Sequence, residues 1–176
     1  SLSLITFGPF PGAHFPVRQS DACLNFYSII AAPLVDVGYF VAGRLVSSTF
    51  SIITTISLVY LIKYISSYRA VYLAPLLFWV NPYFFVFSWT LFPEAVSLGA
   101  TTSAVALILL YISEERMIWY IASLFMTVIG VANHGWELVI ILPTVSVLLL
   151  RGKYKNALFY AAIPVLFALF IKSVLL

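Results

Sequence analysis

The chain has 176 residues, of which 63% are hydrophobic, 17% aromatic and 9% charged, with a mean hydropathy of +1.09. Soluble domains carry about 25% charged and roughly 45–50% apolar residues, so the composition excludes a soluble globular enzyme, a disordered tail and a coiled coil. A single cysteine excludes an internal disulfide and a thiolate metal cluster, and the nine basic residues behind the net charge of +3 are scattered, unlike a nucleic-acid patch.

The first residues resist helix formation, because Gly8, Pro9, Pro11, Gly12 and Pro16 interrupt the chain before Arg18. Ala22–Val35 is too short to cross a bilayer and contains Asn25 and Pro33. It is predicted to lie on the outer membrane surface as an amphipathic helix. Residues 1–36 thus read as an outer loop with a surface helix. The chain opens at Ser1 without Met and without a basic-plus-apolar leader, as expected of a piece cut within an outer loop of a longer protein.

Residues 37–176 read as an all-α, polytopic transmembrane bundle. A spanning helix needs about 20 mostly apolar residues. The segments are Val37–Ile62, Ala70–Ser88, Glu94–Ile112, Met117–Asn133, Trp136–Leu150 and Asn156–Leu175. Trp136–Leu150 is the weakest of these six. The apolar runs are continuous rather than alternating, which excludes a β-barrel.

Charges between the segments follow a pattern. Lys63 and Arg69, then Glu114-Glu115-Arg116, then Arg151, Lys153 and Lys155 fall on one side of an alternating topology and hold six of the nine basic residues. The loops near Asn81–Pro93 and Asn133–Gly135 hold none. The positive-inside rule places the basic side in the cytoplasm. The opposite side, facing the cell exterior or an organelle lumen, receives Asp21, Asp36, Glu94, Glu137, His14, His134, Arg18 and Arg44. Tyr64, Tyr68, Trp119 and Tyr120 at one level, with Tyr39, Trp89 and Trp136 at the other, suit interfacial belts.

Several of these residues are candidates for chemistry, each with a plainer reading beside it. Glu94 follows Pro93 and either favours the helix dipole or lines a cavity at the outer face. In Asn133-His134-Gly135-Trp136-Glu137, His134 and Glu137 are three apart. That pair suits phosphate, a divalent cation or proton relay, or else the segment is a turn with an anchoring Trp. Arg44, about two turns into the first span, either snorkels outward, pairs with Asp36 or holds an anionic ligand. His14-Phe15-Pro16-Val17-Arg18 and Asp21 form a Pro-rich loop, read as a surface connection or an active-site segment. Gly99, Ala100, Ser103 and Ala104 make a small-residue stripe for close helix packing. Nucleotide-binding, nucleophile-elbow and HExxH motifs are absent from the sequence.

The layout resembles the GT-C superfamily of membrane glycosyltransferases, which includes protein O-mannosyltransferases, lipid A aminoarabinose transferases and GPI mannosyltransferases. The matching pieces are His14-Phe15-Pro16, Gly43-Arg44-Leu45, Asn81-Pro82 through Phe92-Pro93-Glu94, and His134-Gly135-Trp136-Glu137. Phe15 departs from the His-Pro-Pro of the protein mannosyltransferase branch. The resemblance implies sugar transfer from a polyprenyl-phosphate donor to a glycan, lipid or protein acceptor at the outer face. It implies a carboxylate base in the first outer loop, expected upstream of Ser1, with Asp21 the candidate within this chain. Arg44, His134, Glu94, Glu137 and His14 are then substrate-binding candidates. The sequence establishes no cofactor and leaves a divalent cation open, and no nucleic-acid partner is expected. The rival readings are a secondary transporter, with breaks at Pro75, Asn81-Pro82 and Pro143, and a non-catalytic membrane subunit.

Overall fold

The computed structural model describes residues 39–66, 70–89, 94–133 and 135–175, and among them the chain is helical throughout its elements, with no strand. The helices are α1 (Tyr39–Ile65), α2 (Ala70–Val80), α3 (Pro82–Trp89), α4 (Glu94–Glu114), α5 (Met117–Asn133), α6 (Ile141–Leu150) and α7 (Tyr154–Leu175), with a 3₁₀ segment at Gly135–Ile140 ahead of α6. The predicted surface helix Ala22–Val35, and with it His14 and Asp21, lies outside the described residues.

Two stretches, Val41–Ile65 and Glu94–Glu114, are long and apolar enough to cross a bilayer by length and composition. Met117–Asn133, Leu138–Leu150 and Tyr154–Phe170 are apolar but shorter. The segment expected as one helix over Ala70–Ser88 is two. Proline disfavours helical geometry in the residue before it, and Asn81 takes the role of helix cap. Its Oδ1 accepts from the Tyr83 N–H at 3.0 Å, while Pro82 occupies the first helical position, where a missing N–H costs nothing. The weak Trp136–Leu150 segment also divides. Its 3₁₀ part rises about 2 Å per residue against 1.5 Å for α-helix, so the 3₁₀ segment and α6 together reach about 27 Å.

Two apolar clusters define the bundle. In the first, Ala42, Val46 and Phe50 of α1 pack on Val96 and Ala100 of α4 and Ile129 of α5. In the second, Ile108 and Tyr111 of α4 meet Tyr120 of α5, Leu148 of α6, and Ala157 and Tyr160 of α7. The start of α1 therefore lies beside the start of α4 and the end of α5, so α1 and α4 are parallel. The end of α4 lies beside the start of α5, the end of α6 and the start of α7, so α4 through α7 alternate in direction.

The α1–α4 contact is set by Gly99. A Cβ there would lie 2.7 Å from the Phe50 carbonyl oxygen and 2.8 Å from its ring. Backbone cannot yield as a flexible side chain can, so the small-residue stripe serves as a close-packing face, with Ala100, Ser103 and Ala104 also buried.

The turns are equally specified. Gly152, at φ 71°, ends α6 in a Schellman motif: the Lys153 N–H donates to Leu148 O and the Gly152 N–H to Leu149 O, both at 2.9 Å. Between α4 and α5, Glu115 takes the left-handed conformation at φ 56°, a place usually given to glycine.

Buried hydroxyls and exposed apolar side chains are both numerous among the described residues. Buried positions include Ser47, Ser51, Thr54 and Ser57 on α1, Ser97 and Ser103 on α4, Ser123 and Thr127 on α5, and Thr144 on α6. Three of these hydroxyls donate to a carbonyl one turn back: Thr54 to Phe50 (2.8 Å), Ser103 to Gly99 (2.6 Å) and Thr127 to Ser123 (3.0 Å). Large apolar side chains face outward, among them Ile56, Phe125, Leu142, Leu158, Leu166 and Phe170, each more than 60% exposed.

Gly99→Ala should destabilise the bundle by about 1–3 kcal/mol, the usual cost of overpacking. The check is the denaturation midpoint, with Gly152→Ala, which meets open space, losing only about 1 kcal/mol through its backbone conformation.

Candidate functional site

The residues singled out by sequence occupy one end of the bundle where they are described. Their relative height follows from the Phe50–Gly99 contact. Arg44 precedes Phe50 by six residues, about 9 Å, and Glu94 precedes Gly99 by five, about 7.5 Å. On parallel helices the two are nearly level. Both are exposed, and neither forms an ion pair with another described residue. Asp36, one partner offered for Arg44, lies outside the described residues. The Arg44 neighbours Ala42, Gly43 and Val46 are the buried ones. Glu94 opens α4 and places its carboxylate in the first turn, where the helix dipole favours negative charge.

The end of α5 is fastened to the same place. The Asn133 Nδ2 donates to Ser97 Oγ at 2.7 Å, with both residues buried. Ser97 is three residues after Glu94, so the chain leaving α5 at Asn133 emerges about one turn from Glu94. His134 follows directly in sequence but lies outside the described residues. Glu137 falls in the 3₁₀ segment, and its side chain is likewise undescribed. Arg44, Glu94 and the entry to the His134–Glu137 segment are therefore brought to one end from three separate elements.

The opposite end contains a network that the sequence did not announce. Tyr120 Oη donates to the Asn156 carbonyl at 2.8 Å, and Asn156 Nδ2 donates to Tyr111 Oη at 2.5 Å. The rings of Tyr111, Tyr120 and Tyr160 follow one another with centroids 5.4 and 5.9 Å apart. Deeper in, Ser123 Oγ donates to Ala104 O at 2.7 Å and Thr127 Oγ1 to Ser123 O at 3.0 Å. The buried Tyr160 hydroxyl then shares its proton between these two hydroxyl oxygens, 2.8 and 2.5 Å away. Hydrophobic periodicity registers tyrosine and serine as depth markers or fillers. The faintest usable signal was Ser123 and Thr127 at i, i+4 on an otherwise apolar helix.

Lys153 crosses between the two turns at that end. Its Nζ lies 3.0 Å from Glu115 Oε1 and 4.4 Å from the Tyr111 ring centroid. The hydrogen bond to Glu115, helped by Tyr111 and opposed by partial burial, raises the Lys153 ammonium above its ordinary 10.5. Nearby, Glu114 accepts from Trp119 Nε1 at 2.9 Å and lies 3.7 Å from Arg116 Nε.

Among the described residues no group of three or more His, Cys, Asp or Glu is placed to hold a metal ion. Compared with protein-family models, curated proteins and solved structures, the chain matches none.

Two outcomes test this geometry. Ser97→Ala, which removes the acceptor of the Asn133 Nδ2 hydrogen bond, should cost about 1 kcal/mol, read as a lowered unfolding midpoint. Because the Lys153 pKa is raised, its link to Glu115 stabilises fully below the ordinary lysine range and is lost as pH climbs through the raised value. Unfolding followed against pH should therefore show an alkaline loss of stability above about 10.5 that Lys153→Met removes.

Proposed function

We propose that the chain is a membrane-embedded, multi-pass bundle belonging to a GT-C-like glycosyltransferase, working at the non-cytoplasmic face on a polyprenyl-phosphate-linked sugar. The membrane part is supported by the apolar outer surface of the bundle. Leu, Ile and Phe cover the outside while hydroxyls are satisfied within, an economical arrangement in hydrocarbon and a costly one in water. The alternation of α4 through α7 fits six crossings, with the broken α2–α3 pair and the 3₁₀–α6 pair each counted as one. The turns holding Arg116, Arg151, Lys153 and Lys155 then face the cytoplasm.

The observation that supports the catalytic part is that Arg44, Glu94 and the Asn133 exit lie near one level at the other end. A donor headgroup there would meet a guanidinium suited to two parallel hydrogen bonds with phosphate. In the reaction the acceptor oxygen forms its bond to the anomeric carbon as the carbon–oxygen bond to phosphate breaks. The polyprenyl phosphate leaves with the electron pair, and the acceptor proton passes to a carboxylate, for which Asp21 is this chain's candidate. Arg44 and His134 neutralise the departing phosphate, and Glu94, with Glu137 and His14, shapes the sugar and acceptor pocket. The prenyl tail lies against the apolar helix surfaces.

One observation favours a second reading. The helix break at Asn81–Pro82 is of the kind that transporters use to bind solutes. Solute flux without sugar transfer in reconstituted vesicles would select it.

The test is transfer from polyprenyl-phosphate sugar donors by the full-length protein carrying Arg44→Ala, Glu94→Gln or His134→Ala singly. Activity is expected to fall roughly a hundredfold for Arg44→Ala, as for loss of a principal charge-stabilising donor. Wild-type transfer by all three variants would remove the assignment.

A further inference from the structure

The end of the bundle away from Glu94 carries positive charge that its own acids do not balance. Its two carboxylates are engaged, Glu115 with Lys153 at 3.0 Å and Glu114 with Trp119 at 2.9 Å and Arg116 at 3.7 Å. Lys63, Arg151 and Lys155 are exposed and form no ion pair with a described residue.

These three stand at one level. Lys63 lies thirteen residues beyond Phe50, about 20 Å, and Glu114 fifteen beyond Gly99, about 22 Å. Arg151 and Lys155 flank Lys153, which is tied to Glu115 beside them. The cations thus form a layer across the ends of α1, α6 and α7.

Each also borders exposed apolar surface. Ile65 is 77% exposed beyond Lys63, Leu150 is 86% exposed before Arg151, and Leu158 is 68% exposed one turn after Lys155. A nucleic acid or an acidic peptide would satisfy the cations and leave this apolar rim in water. A leaflet with negative headgroups above hydrocarbon satisfies both, with the Lys and Arg stems lying along the apolar rim and their heads reaching the phosphates.

We infer that this end of the bundle binds anionic phospholipid headgroups, with Lys63, Arg151 and Lys155 as the contacting cations. The inference rests on the membrane reading above and extends it to a leaflet of stated charge. Each cation near such a surface strengthens its attraction about fivefold.

The test uses the full-length protein in nanodiscs of mixed phosphatidylcholine and phosphatidylglycerol, with retained lipids counted by native mass spectrometry. The wild type should retain phosphatidylglycerol several-fold above its share of the mixture. Lys63→Gln, Arg151→Gln and Lys155→Gln together should return retention to the mixed ratio, while Lys63→Arg, Arg151→Lys and Lys155→Arg together should preserve the enrichment. A wild type that enters the discs without enrichment, or a glutamine variant that stays enriched, overturns the inference and leaves the membrane reading standing. Enrichment abolished by inorganic phosphate assigns the cations to a free anion and also overturns it. A protein that does not enter the discs overturns the membrane reading itself.

Discussion

The backbone contact between α1 and α4 at Phe50 and Gly99 sets the geometry of this molecule. With a Cβ excluded at Gly99, two parallel helices approach closely enough for their register to be fixed. From that register follow the level placement of Arg44 with Glu94 and, some twenty residues along, of Lys63 with Glu114. Dispersion and close approach hold the pair, rather than long side chains interlocking, which suits helices whose outer faces are themselves apolar.

The two ends of the bundle are built by different means. At the Glu94 end, an amide-to-hydroxyl bond between Asn133 and Ser97 secures the end of α5, and Arg44 and Glu94 form no ion pair with a described residue. At the other end, three helices are joined by Tyr111, Tyr120, Asn156 and Tyr160, and the turns by Lys153 and Glu115. In a low-dielectric interior each satisfied hydroxyl removes a desolvation cost of a few kcal/mol, so the hydrogen-bonded interior specifies the packing as well as stabilising it.

The proposed glycosyltransferase reading and the lipid inference concern these two ends separately. The first depends on Arg44, Glu94 and His134 acting on one headgroup. The second depends only on cations that the local acids leave unbalanced. Either can fail without the other, provided the bundle lies in a bilayer.

Much of the helical order was legible in the sequence because long apolar runs leave the backbone no partner but itself. Glu94–Glu114 and Met117–Asn133 fall close to where composition and charge placed them, and the small residues around Gly99 announced close packing. The division of Ala70–Ser88 was less visible, since hydropathy averages over Asn81-Pro82, whereas a missing N–H and a capping amide act at single residues. Composition and periodicity determined that the described residues are helical, where several of the turns fall and which residues carry charge. Only the tertiary structure decided that Asn133 reaches Ser97, that Tyr160 is satisfied by Ser123 and Thr127, and that Lys153 spans two turns to Glu115. Such pairings join residues more than thirty positions apart, and helix crossing and rotation, which no local pattern encodes, determine which of many equivalent hydroxyls and amides meet.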